Sequence, residues 1–268
     1  MEAHDGISSR IVEKAGFEGV WASSLTLASV LGKRDANEAS WTELIALAGR
    51  IADSVTIPVL LDGDNACGHF NTARQMVAGC CRRGIAGVAI EDKVFPKRNS
   101  LRGGSVPLLP TNVFEGMIRA GKDSQISDDF CLVARTEALI SGGTVSETLD
   151  RADAYLRAGA DAVLVHSRSH DGRDIEAFME KWGRRGPVVL VPTTYHRIGV
   201  GQLFDSGANL IVWANHLLRA SVRAMLGAAD QVRQRRTVAE LGSTIASLEE
   251  LFELMDYDEL EDASRKYG

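Results

Sequence analysis

The run "AGVAIED" (86–92), continuing without a break into "KVFPKRNS" (93–100), decides how the chain is read. Its apolar residues do not alternate with polar ones, as they would in a strand with one wet face. They follow one another, which suits a parallel strand covered on both sides, and the run stops on two carboxylates. The same format recurs at "GVWAS" (19–23), "IPVLLD" (57–62), "CLVART" (131–136), "DAVLVHS" (161–167), "PVVLVPT" (187–193) and "NLIVWAN" (209–215). Helical patterns lie between them: "SSRIVEKAG", "SWTELIALAGRIADS", "NTARQMVAGCCRRG", "SETLDRADAYLRAGA", "DIEAFMEKWG" and a longer one from about Leu217. Several of these close on Gly after a charged residue, a helix C-terminal signal. Seven strands are clear, and "MEAH" at the start supplies an eighth ahead of the first helix. Eight β/α units in roughly 220 residues predict an α/β fold of the (β/α)8 TIM-barrel type. Residues 1–268 then form one barrel domain, with 217–268 as additional C-terminal helices. An open doubly wound sheet is the alternative, and no Gly-rich dinucleotide turn follows an early strand to support it.

Composition agrees with one large soluble core. The chain has 268 residues, 45% of them hydrophobic and 25% charged, and no repeat or linker is visible. A net charge of −6 argues against nucleic-acid or anionic-membrane partners and leaves room for a local basic pocket that takes a small anion. No apolar stretch has membrane-spanning length, and "MEAHDGISSR" is too polar for a signal peptide. Cys67, Cys80, Cys81 and Cys131 form neither a CxxC pair nor a paired framework, which predicts reduced cysteines in a cytoplasmic protein.

A barrel places its chemistry at the C-terminal strand ends. Those ends carry His4 and Asp5; Trp21, Ser23 and Ser24; Asp62 and Asp64; Glu91 and Asp92; Arg135 and Glu137; His166 and Ser167; Thr193; Asn215 and His216. Asp62 and Asp64 with Glu91 and Asp92 crowd carboxylates onto neighbouring strands, and such crowding calls for a cation or a proton. Hard oxygen donors without a Cys/His set favour Mg²⁺ or Mn²⁺ over Zn²⁺. The bland reading is that Asp62 and Asp64 cap the next helix. Arg135, His166, Lys97 and Arg98 indicate an anionic ligand, a carboxylate or phosphate. The bland reading there is an Arg135–Glu137 ion pair and a solvated loop. Trp41, Phe178 and Trp182 are read as packing, and "RQRR" (233–236) as a solvated helix end.

These residues sit in motifs that resemble the phosphoenolpyruvate mutase/isocitrate lyase superfamily. The resemblance runs almost end to end, through "EAHDGISSRIVEKAGFEGVWASSL" (2–25), "LGKRDANEASWTE" (31–43), "IPVLLDGDNACGHFNTARQMV" (57–77), "GVAIEDKVFPKRNSL" (87–101) and "DFCLVARTEALISGG" (129–143). The "EDKxFPKxNS" pattern is specific for the mutase branch. The resemblance implies a (β/α)8 barrel whose terminal helix is exchanged between subunits in a homotetramer, a dimer of dimers. It also implies Mg²⁺-dependent interconversion of phosphoenolpyruvate and 3-phosphonopyruvate, the C–P bond-forming step of phosphonate biosynthesis. By resemblance Asp62 would ligate Mg²⁺, with Asp64 and Glu91 holding its water shell. Asp35 would contact the migrating phosphoryl group. Trp21, Ser23, Ser24 and Leu25 would hold the pyruvyl carboxylate, and Arg135 and His166 would bind phosphoryl and substrate. Lys97, Asn99, Ser100 and Leu101 would form a gating loop, with Asn99 reaching the phosphoryl group.

Departures from the family pattern are local. The metal strand reads "DGDNACG" (62–68) where the family has Asp-Ala-Asp-Thr-Gly-Tyr-Gly, so Ala66 replaces a Gly whose backbone angles disfavour a side chain. "ASSL" (22–25) replaces Gly-Ser-Gly-Leu and adds bulk at Ser24. Set against the family's pattern, the chain begins midway along the first strand. Phosphonopyruvate hydrolase, which releases phosphate and pyruvate, is the nearest alternative; its loop tends to carry Thr where this chain has Asn99. A C–C lyase of the methylisocitrate type needs Cys-Gly-His after "FPKR", which is missing. A non-catalytic barrel binding enolpyruvate-like ligands is the reading from a different class.

Overall fold

A computed structural model describes residues 1–99 and 106–268; Ser100 and Leu101 of the expected gating loop lie outside the described residues. In chain order the first half runs β1 (Glu2–Ala3), α1 (Gly6–Lys14), β2 (Val20–Ala22), α2 (Ser24–Val30), α3 (Trp41–Ala52), β3 (Val59–Asp62), α4 (Phe70–Arg82), β4 (Gly87–Glu91) and α5 (Thr111–Lys122). The second half runs β5 (Cys131–Thr136), α6 (Val145–Arg157), β6 (Ala162–Val165), α7 (Arg173–Trp182), β7 (Val188–Leu190), α8 (Val200–Asp205), β8 (Leu210–Ile211), α9 (His216–Arg235), α10 (Leu248–Leu254) and α11 (Tyr257–Tyr267). The eight strands pair in parallel in sequence order. The Glu2 amide donates to the Trp213 carbonyl just past β8, at 2.9 Å, and so brings the two ends of the sheet together. This is the expected (β/α)8 architecture.

Period-two alternation along each strand sorts the core into two layers. Trp21, Ala89, Val133, Leu164, Val189 and Val212 fill the barrel interior. Their neighbours Ala22, Val88, Leu132, Val163 and Val188 face outward beneath the helices. Two steps further toward the C-terminal end, the interior column turns polar: Ser23 follows Trp21, Glu91 follows Ala89, Arg135 follows Val133, and His166 follows Leu164. Packing below and chemistry above are one continuous column.

Helix boundaries follow local signals. Ser40 caps α3 through a capping box with Glu43, and Thr144 accepts from Glu147 at the start of α6. Phe178 and Trp182 stack at 5.4 Å inside α7 and are buried, as packing residues should be. All four cysteines are free thiols. The "RQRR" run ends α9 in the open. No helix among the described residues is long and apolar enough to cross a membrane.

Candidate active site

The polar ends of the interior columns line a cavity at the C-terminal face, with Trp21, Ser23, Leu25, Asp35, Asp62 and Glu91 in its wall. Lys97, Asn99, Arg135 and His166 line it as well. Every described residue given a role by resemblance lines this cavity except Ser24 and Asp64, which bond to residues that do, whereas Arg98, named with the anion-facing cations, does not line it. The Ser24 hydroxyl donates to Asp62 at 3.0 Å and accepts from the Lys97 ammonium at 2.9 Å. The extra bulk at this position is thus a polar tie between an acid and a loop cation. Ser24 and Leu25 also open α2, where the first amides of a helix have no partner within it.

Lys97 is buried and joins two acids, Asp35 at 2.5 Å and Asp64. Asn37, absent from the expected set, supports both sides: its amide donates to Asp64 at 3.2 Å and its carbonyl accepts the Lys97 backbone N–H at 2.6 Å. The Asn99 amide donates to the other Asp35 oxygen at 2.6 Å. Burial works against ionising Asp35, but the Lys97 charge and the bonds from Lys97 and Asn99 hold its carboxyl below the usual range. Asp35 is therefore a carboxylate, with both oxygens facing residues of the loop.

Behind Arg135 lies Glu137, fully buried, which the interior column predicts by parity two residues on. It accepts from Arg135 and from Lys93 at 2.7 Å, and His166 approaches at 3.3 Å. The Arg135–Glu137 ion pair expected as the bland alternative exists, and Arg135 lines the cavity all the same. Burial lowers the His166 pKa, with Glu137 opposing, so the imidazole is neutral near pH 7. Asp62 and Asp64 do not cap the next helix: His69 caps α4, its ring accepting the Asn71 amide.

The acids fit a divalent cation in chemistry and in charge. With every carboxyl ionised, Asp35, Asp62, Asp64, Glu91 and Glu137 exceed Lys93, Lys97 and Arg135 by two negative charges. Burial, with Asp62, Asp35 and Glu91 adding repulsion against the pull of Lys97, pushes the Asp64 carboxyl up to about 7. One oxygen of Glu91 is buried without a hydrogen-bond partner. Among the described residues no three ligating side chains converge into a ready-made cage.

The loop carrying the acids is strained at Asp64, where the sequence keeps the family pattern, and at two positions where it departs from it. Asp64, Ala66 and Cys67 have φ of 52°, 46° and 55°, in the left-handed region. The expected conflict at Ala66 is present, and Cys67 shares it.

A family model described as phosphoenolpyruvate phosphomutase matches residues 1–233. The chain belongs to the phosphoenolpyruvate phosphomutase family. It is 47% identical over 262 residues to a phosphoenolpyruvate phosphomutase of Streptomyces hygroscopicus, covering 97% of this chain and 84% of that one. The crystal structure of a phosphoenolpyruvate phosphomutase from Streptomyces platensis subsp. rosaceus is similar with a TM-score of 0.97 and 39% identity, covering 99% of this chain and 93% of that one. A phosphonopyruvate hydrolase solved with oxalate and Mg²⁺ is similar with a TM-score of 0.93 and 31% identity, covering 100% and 93%. In this phosphomutase-family chain, the sequence reading named most of the cavity lining, gave no role to Asn37 or Lys93, and read Glu137 as a strand-end partner of Arg135. Strand parity, carried from Glu91 to Lys93 and from Arg135 to Glu137, is the signal that could have placed both in the site. Asn37 carried no signal, because its role depends on where a loop returns.

Proposed function

We propose that this chain is an isomerase that interconverts phosphoenolpyruvate and 3-phosphonopyruvate. In the phosphonate-forming direction the bond from phosphorus to the enol oxygen breaks and a bond from phosphorus to C3 of the same molecule forms. Magnesium, held by Asp62 with Asp64 and Glu91 around its waters, would supply Lewis-acid stabilisation for charge developing on the enolate oxygen. The first amides of α2, at Ser24 and Leu25, offer donors to the pyruvyl carboxylate, and Trp21 walls that end. Arg135, with neutral His166 beside it, faces the phosphoryl oxygens. Asp35 stands as a carboxylate where phosphorus passes, whether it carries the group or guides it. Lys97 and Asn99 close over the site and exclude water, which would otherwise take the phosphoryl group.

The observation that carries this reading is the meeting of Asn99 with Asp35 at 2.6 Å, beside Lys97. The loop residue that separates mutase from hydrolase patterns touches the residue assigned to phosphoryl handling. The experiment is ³¹P NMR of the protein with Mg²⁺ and phosphonopyruvate. Phosphoenolpyruvate is the expected product. Inorganic phosphate as the first product would make the chain a hydrolase, and binding without turnover would make it a retired site. Asp35→Ala is expected to abolish turnover with the fold intact, and near-normal rates in it would refute the role of Asp35.

Within the same proposal, α9 to α11 are exchanged between subunits of a cytoplasmic homotetramer. What supports this is their surface. None of the three helices has a buried residue, and Met225, Leu226, Leu248, Phe252 and Leu260 stand exposed.

A further inference from the structure

Four charged groups at the floor of the cavity close into a ring of alternating sign. The Glu91 carboxylate lies 3.5 Å from the Lys93 ammonium, and Lys93 lies 2.7 Å from one oxygen of Glu137. The other Glu137 oxygen meets Arg135 Nε at 2.5 Å, and the same Nε lies 3.5 Å from Glu91. Glu91, Lys93 and Glu137 are each 2% exposed or less. The ring spans the site: Glu91 belongs to the acidic side and Arg135 to the side facing the phosphoryl group. Lys93 lines the cavity as well.

We propose that Lys93 is a positioning residue of the reaction, fixing Glu137 and through it the direction in which Arg135 presents its guanidinium. A carboxylate with one oxygen tied to an ammonium cannot swivel, so the Arg135 bond to the other oxygen has one geometry. Without the Lys93 ammonium, Glu137 loses the cation that holds one of its oxygens and can draw Arg135 back from the cavity. Lys93 has a second consequence of opposite sign. It is a fixed cation beside Glu91 and competes with any divalent ion the acids hold. The inference rests on the proposed mutase reading, and it separates from that reading because one readout involves no turnover.

The test compares wild type, Lys93→Met and Lys93→Arg by Mg²⁺ calorimetry and by steady-state kinetics with phosphonopyruvate. In Lys93→Met, kcat/KM is expected to fall at least 30-fold while Mg²⁺ binds about tenfold more tightly, because a neighbouring positive charge is gone. General loosening of the site would weaken Mg²⁺ binding instead. Lys93→Arg keeps a cation able to bridge two carboxylates and is expected to recover kcat/KM to within about fivefold and to restore wild-type Mg²⁺ affinity. Where Lys93→Met does not fold, Lys93→Gln removes the same charge with Glu137 retained, and tighter Mg²⁺ binding with a lower kcat/KM is expected in it as well. Unchanged kinetics, or Mg²⁺ affinity that is unchanged or weaker, would overturn the proposal. A wild-type protein that binds Mg²⁺ and lacks mutase activity would overturn the functional reading alone, since the calorimetric comparison still stands.

Discussion

Tyr155→Phe removes one oxygen atom and nothing else. Tyr155 is fully buried on α6, its ring edge-on to Phe114 at 4.7 Å, so phenylalanine keeps the packing and opens no cavity. Its hydroxyl donates to Asp92 at 2.7 Å and accepts from Arg151 at 3.1 Å. Asp92, also buried, has two other donors, the Glu137 amide at 2.9 Å and Arg151 at 3.3 Å. The variant therefore takes a short, charge-assisted bond from a buried carboxylate and leaves it two longer ones. Bonds of that kind are worth about 1.5–3 kcal/mol. The lower half of the range applies, because Arg151 stays near enough to compensate in part. In a domain of this size about 2 kcal/mol lowers Tm by roughly 4–8 °C, measurable by calorimetry. A double-mutant cycle with Asp92→Asn isolates the pair, and the expected coupling is about 1–2 kcal/mol. Turnover should fall only a few-fold, since Asp92 acts on the site through the backbone of Glu137. A variant within about 0.5 kcal/mol of wild type, or a coupling near zero, would refute the assignment of this bond.

Other expectations test separate parts of the molecule. Gly63→Ala places a Cβ 2.6 Å from Met76 Sδ and 2.7 Å from Val88 Cγ2, and overpacking between Asp62 and Asp64 should cost about 1–3 kcal/mol by urea titration. Ala66→Gly should change stability by less than about 1 kcal/mol: relief of left-handed strain, about 1–2 kcal/mol, is offset by a lost buried methyl and by a looser unfolded chain. A loss above about 2 kcal/mol would show that the methyl does more than fill space. His4 bonds Glu2 at 2.7 Å, and although burial opposes it, that bond and the charges of Glu2 and Asp5 raise its pKa above 6.5. A raised histidine contributes fully below its unfolded value, near 6.5, and loses that contribution as pH climbs through the folded value. His4→Gln should accordingly cost more at pH 6 than at pH 8.5 in urea titrations, and equal costs would argue against the pairing.

How much of this was legible depends on what kind of signal a residue carries. All eight strands were found, because burial on both faces writes itself as an unbroken apolar run, but the runs read at 187–193 and 209–215 go past the ends of β7 and β8. The short helices α2 and α8 were missed: seven and six residues give too little periodicity to register. α5 was also missed, where Gly116 and Gly121 dilute a pattern that Phe114, Met117 and Ile118 carry. At the site, Asp62, Glu91, Arg135 and His166 could be found as polar residues at strand tips. Lys93 was given no role, since lysine is rarely buried and its ring partners come from two strands. Glu137 was read as an ion-pair partner and nothing more, because its tie to Lys93 exists only across the β4–β5 junction.

The segment 91–93 alternates like the strand it extends: Glu91 and Lys93 point to the cavity, and Asp92 points away to Tyr155 and Arg151 on α6. It is held on its far side too, where Val94 and Leu109 donate backbone bonds to Pro107 and Asp92. An insertion or deletion of one residue here would turn all three side chains over at once, putting an aspartate over the substrate and two charges into the helix layer. Length changes across related chains should therefore never fall in residues 91–93.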